Sequence, residues 1–148
     1  MTHSNYDMSP VKDLIRVLNG GVEFYTRAKK KLDSTNLNRV FDQMIADKAQ
    51  AISDLQPFVF VDEGTVETDT ATSVDIRESY TKVIGVLSTD KAHTYISQLE
   101  EVEDKVLDKL DKALSEPLPP KCKSALLQIQ SRMQVCHDQM KQLQELTA

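Results

Sequence analysis

Four long stretches of this chain place an apolar side chain at every third or fourth residue, with only four glycines and five prolines in the whole sequence. That spacing follows the 3.6-residue turn of an α-helix, so each stretch presents one apolar face that must be buried against another helix. The first stripe is Leu14, Leu18, Gly21, Tyr25, Ala28 and Leu32, entered through Ser9-Pro10 as N-cap and first helical residue. The second, over about 36–60, is Leu37, Phe41, Met44, Lys48, Ala51, Leu55 and Phe58, with Pro57 expected to kink or fray its last turn. A third, over about 91–115, is Ala92, Ile96, Leu99, Glu103, Val106, Leu110 and Ala113. The last, over about 121–146, is Cys122, Leu126, Ile129, Met133, Cys136, Met140 and Leu143. Alternating strand-like patterns do not compete with these, and no internal repeat is evident.

Two residues break the pattern. Lys48 and Glu103 stand at stripe positions near the middle of their helices, where hydrophobic side chains are expected. With matched helix ends, Gly21, Lys48, Glu103 and Met133 fall in one central layer. The spacing therefore predicts a buried ion pair between Lys48 and Glu103, with Gly21 leaving room beside it and Tyr25 and His137 hydrogen-bonding at its margin. The competing expectation is a Lys48 that lays its stem along apolar surface and carries its ammonium out to water.

Connection lengths suggest the topology. Asp33-Ser34-Thr35 joins the first two long helices and Pro117-Leu118-Pro119-Pro120 the last two, and short links make antiparallel neighbours. Between these hairpins lie a polar stretch (62–71) and a short helical pattern (about 72–87, with Ile76, Tyr80, Val83 and Leu87). The expectation is an all-α fold: two helical hairpins joined by a long crossover containing a short extra helix, the ferritin-like form of the four-helix bundle. One domain is expected over 10–148, behind a flexible N-terminus at 1–9.

Composition excludes several functions. A net charge of −5 and a pI near 5.2 speak against nucleic acid as a partner. The basic run Arg27, Lys29, Lys30 and Lys31 falls in a last helical turn, where cations complement the helix dipole. No apolar run approaches the roughly 20 residues of a membrane span, and the first residues lack a signal-peptide core, so a cytoplasmic location is expected. Cys122 and Cys136 lie on one helix about 21 Å apart, too far for a disulfide, and read as small buried hydrophobes.

The segments Val22-Glu23-Phe24-Tyr25 through Ala28, Phe41 to Leu55, Glu100-x-x-Glu103 and Cys136-His137-Asp138 resemble a bacterial family of ferritin-like four-helix-bundle domains of unknown function. The resemblance runs from about Val11 to Leu143. It implies the fold, with stress-associated roles for some relatives, and no reaction.

Active ferritin-like proteins hold two irons with an inward Glu from each of two helices and a Glu-x-x-His from each of the others. Here the first helix offers Gly21, and Glu23 points some 200° away from it. The resembling Glu-x-x-His positions of the second helix read Lys48-x-x-Ala51, and an ammonium has only donors. Asp47 flanks that stripe with Gln50 three residues on. The third bundle helix keeps Glu103, with Glu100 at the stripe edge, and the last offers Gln134-x-x-His137. A di-iron centre is therefore not expected, nor any other metal, cofactor or catalytic residue.

Other features read as ordinary. His3 and His93 read as solvent groups, and adjacent Cys136 and His137 point about 100° apart, a poor nucleophile–base geometry. Glu100, Glu101 and Asp104 read as a charged helix face. Val22 and Phe24 flank the first stripe and could meet a second copy or the crossover. The expectation is a non-enzymatic accessory protein with a protein partner, another copy of itself included. The alternative is a divergent iron-binding protein or oxidoreductase built on Glu103, Glu100, His137 and Asp47, and an unmetallated small-molecule pocket beside Gly21 is a further possibility.

Overall fold

The computed structural model describes residues 6–63 and 91–147. Among them are four α-helices and no strand: α1 Ser9–Leu32, α2 Thr35–Glu63, α3 Lys91–Leu114 and α4 Pro120–Thr147. The short helix expected over 72–87 lies outside the described residues.

Local chemistry sets the helix ends. α1 begins at Ser9, with Met8 rather than Ser9 in the N-cap position. Pro10 has no N–H to satisfy, and the Asp7 carboxylate accepts the Ser9 N–H at 3.0 Å. Met8 itself is buried, so the packed unit reaches back at least that far. At the other end Asp33 adopts the left-handed conformation (φ 46°) and returns its N–H to the Lys29 carbonyl at 3.0 Å. The Ser34 hydroxyl then receives the Leu37 N–H at 3.4 Å and starts α2.

α2 runs through Pro57 to Glu63, past the expected fraying point. Proline removes the N–H that would bond the Ser53 carbonyl, but both residues are on the exposed face, where water can satisfy that carbonyl. Between α3 and α4 the chain turns at Pro117–Pro119, with Leu118 buried between the prolines.

Cross-helix contacts give the directions. Lys29 meets Asp42 and Gly21 meets Lys48, so α1 and α2 are antiparallel. Gln130 meets Asp111 and Gln144 meets Ser97, so α3 and α4 are antiparallel as well. Arg132 with Asp54 and Cys136 with Asp47 set α2 against α4 in the same sense. α1 also packs on α3, while the backbones of the diagonal pairs α1/α4 and α2/α3 stay apart among the described residues. The helices thus surround one core, with α2 and α3 parallel across a diagonal. The chain therefore leaves α2 at one end of the bundle and enters α3 at the other.

The stripes form that core. All the stripe positions are buried except Leu32, Leu37, Ala92, Phe58 and Leu143, which lie at the bundle ends and are partly buried. α1 and α3 bury more than their stripes, adding Val11, Ile15, Val17 and Phe24 on α1 and Tyr95 and Val102 on α3. Phe24 is thus a core residue, and Val22 is half-buried.

Candidate functional site

At mid-height the core becomes polar. Lys48 of α2 and Glu103 of α3 are the buried charged residues among those described, both with no solvent exposure. The Lys48 ammonium lies 2.5 Å from Glu103 Oε2, and the Tyr25 hydroxyl of α1 donates to the same oxygen at 2.5 Å. The ammonium also stands 4.9 Å from the centre of the Tyr25 ring, within cation–π range. Phe41 meets that ring edge-on at 5.5 Å and walls the site with hydrocarbon. Burial, followed by the charge and hydrogen bond of Glu103, raises the Tyr25 phenol well above its ordinary value, so it remains a donor.

Gly21 does not leave an open space here. A Cβ at this position would lie 3.1 Å from both Cδ and Cε of Lys48 and 3.7 Å from Val102 Cγ1. The missing side chain is replaced by the lysine stem crossing the face of α1, and the anticipated pocket beside Gly21 is filled. Both donors converge on Glu103 Oε2, and Oε1 is buried without a hydrogen-bond partner. A trapped water is the ordinary way to satisfy such an oxygen.

Asp47, weighed as a ligand, instead accepts from the Cys136 thiol at 3.5 Å on the α2–α4 side. Burial is the main cause that pushes the Cys136 thiol up to about 12, with Glu103 and Asp47 adding to it against Lys48. Burial likewise pushes Cys122 up to about 11. Both cysteines are free, buried, protonated and poor nucleophiles at neutral pH.

His137 does not join the central layer. Its Nε2 faces α3, 2.6 Å from Asp104 Oδ1 and 3.1 Å from Glu100 Oε1, and its Nδ1 lies 3.4 Å from Asp138 Oδ1. The histidine is only 15% exposed and Glu100 14%, whereas Asp104 is half in solvent at 51%. Burial alone would lower the His137 value, but its hydrogen bonds to Asp138 and Asp104 and the charges of Asp104 and Glu100 outweigh it, and the net shift is upward. Glu100 is raised too, by burial first and the charge of Asp104 second, with His137 opposing.

The structure therefore brings Lys48, Glu103 and Tyr25 together and places His137 in a second polar cluster. Asp104 is the member that sequence reasoning missed, having been assigned to a solvated face. The signal was its spacing: Glu100 and Asp104 are four apart and share one side of α3. Antiparallel alignment then sets the His137 level of α4 opposite them. His93 is also more engaged than expected, with Nδ1 3.0 Å from the Thr147 hydroxyl.

Among the described residues, four helices around one sealed polar layer define a helical-bundle domain. The chain belongs to the family described as Domain of unknown function (DUF2383), which matches residues 8–116. No curated protein and no solved structure matches the chain. No described helix is long and apolar enough to cross a membrane.

Proposed function

We propose that this protein is a non-enzymatic, ferritin-like bundle acting in the cytoplasm as an accessory protein. It works by binding a protein partner, a second copy of itself included, in the stress-associated setting that its family resemblance implies. The helix directions support the ferritin-like assignment, because parallel α2 and α3 require a connection from one end of the bundle to the other.

One observation carries the functional reading. Where a di-iron protein needs inward carboxylates and histidines, this core holds a lysine ammonium bonded to Glu103, with its stem packed on Gly21. An ammonium repels a cation and occupies the carboxylate that would bind it.

The test is Fe²⁺ oxidation by the untagged protein under air, with sedimentation over a range of concentrations. The expected result is oxidation at the rate of buffer alone and a concentration-dependent dimer. Catalysed oxidation would replace this reading with the divergent oxidoreductase.

A further inference from the structure

We propose that Glu100, Asp104 and His137 form a single-ion site for a first-row divalent transition metal, best matched by Zn²⁺, on the α3–α4 flank. The site is separate from the Lys48–Glu103 layer and does not depend on the function proposed above.

The geometry already assembles three ligand atoms. His137 Nε2 and one oxygen each from Glu100 and Asp104 lie within 4.8 Å of one another. Zinc binds nitrogen and carboxylate oxygen at about 2.0–2.2 Å, so small side-chain rotations bring all three onto one ion. Two packed helices hold the ligands, with the carboxylates four residues apart on α3 and the imidazole opposite on α4. Asp104 is half exposed, which leaves the open side for a water as the fourth ligand.

A second observation concerns the far nitrogen. Asp138 stands 3.4 Å from Nδ1 and is itself held by Gln134, whose amide donates to it at 3.1 Å. A carboxylate on the far nitrogen keeps the proton there and turns the Nε2 lone pair toward the ligand position, the usual outer-shell support of a metal-bound histidine. In that tautomer a neutral imidazole would press its lone pair against two carboxylate oxygens at 2.6 and 3.1 Å. Something positive must lie between them, and the candidates are a proton on Nε2 or a metal ion.

The ligand set selects among metals. An imidazole with carboxylates suits zinc and its transition-metal neighbours, whereas Ca²⁺ and Mg²⁺ prefer oxygen alone. Two carboxylates balance the double charge. Proton and metal compete for the same nitrogen, so binding weakens in acid.

The deciding experiment titrates ZnCl₂ into the full, chelator-treated chain near pH 7.5 and follows the histidine ring resonances by NMR, with calorimetry in parallel. The His137 resonance is identified by its absence from His137→Gln. The proposal expects that resonance to shift and saturate at one equivalent of zinc, while His93 stays in place. His137→Gln and Asp104→Asn should lose the calorimetric binding, and Asp138→Asn should weaken it by about 10–100-fold. Asp104→Asn changes an exposed side chain, so its circular dichroism should match the parent. An unmoved His137 resonance in excess zinc would overturn the proposal and leave the proton as the sole cation there. Undiminished binding by both ligand variants would overturn it equally.

Discussion

Glu103 and Glu100 lie three residues apart on the same helix; Glu103 meets a nitrogen from the diagonally opposite helix and Glu100 one from the adjacent helix. Glu103 faces Lys48 with neither side chain exposed, while Glu100 faces His137 at the bundle edge, beside an Asp104 that is half in water. In the dry site each charge depends on the other, since no solvent can take over if one is removed. At the edge site water reaches Asp104 and can take over its contact, so that contact contributes less to stability than one of similar length in the sealed layer.

That contrast is broken or sharpened most strongly at Lys48. Lys48→Ala leaves a buried carboxylate unpaired and is expected to destabilise by about 3–5 kcal/mol in urea unfolding. The triple variant Lys48→Met/Glu103→Leu/Tyr25→Phe should lie close to the parent or above it, because hydrophobic replacement removes both desolvation penalties and leaves no Tyr25 hydroxyl buried without its acceptor. Near-neutral behaviour of the single variant would erase the distinction between the two sites. Tyr25→Phe tests the second donor on Oε2. Hydrogen bonds to charged groups are worth about 1.5–3 kcal/mol, and a loss within that range is expected by the same measurement.

Gly21→Ala comes next. Alanine gains about 1 kcal/mol of helix propensity but meets a lysine stem anchored at its charged end, and overpacking costs about 1–3 kcal/mol. A net loss of about 1 kcal/mol is expected, reversing sign once Lys48→Met frees that end.

For the flank site the measurement is melting temperature against pH, parent minus His137→Gln. The folded His137 value is raised above the ordinary 6.5, so its contribution is full below 6.5 and disappears as pH rises through the folded value. The difference between the two melting curves should therefore shrink with rising pH, and a difference that grew would contradict the assigned carboxylate contacts. The smallest effect belongs to the exposed pair Lys29–Asp42. Despite a 2.5 Å contact, Lys29→Ala should cost no more than about 1 kcal/mol and less in high salt.

Much of the bundle was legible because a helix repeats. The stripes Leu14 to Leu32 and Cys122 to Leu143 needed only their spacing, and the same spacing exposed Lys48 and Glu103 as inward positions. What periodicity could not supply was height and neighbour. His137 stands at a stripe edge, and whether it turned toward the central layer or toward Asp104 depended on how α4 sits against α3. Gly21 illustrates a related point: its missing side chain does make room, and only the neighbouring helix shows that the Lys48 stem is what takes it up. The N-cap shifted from Ser9 because Asp7, two residues upstream, reached the Ser9 N–H.

The sealed pair also acts on how the helices can slide. Apolar stripes that repeat every three or four residues allow a collapsed chain to pack α2 against its neighbours one turn too high or too low with little loss of hydrophobic contact. One turn of an α-helix is about 5.4 Å, enough to part Lys48 from Glu103 and strand both in hydrocarbon. The bundle thus carries an alignment mark at its midpoint: one register joins the two charges, and every shifted register separates them.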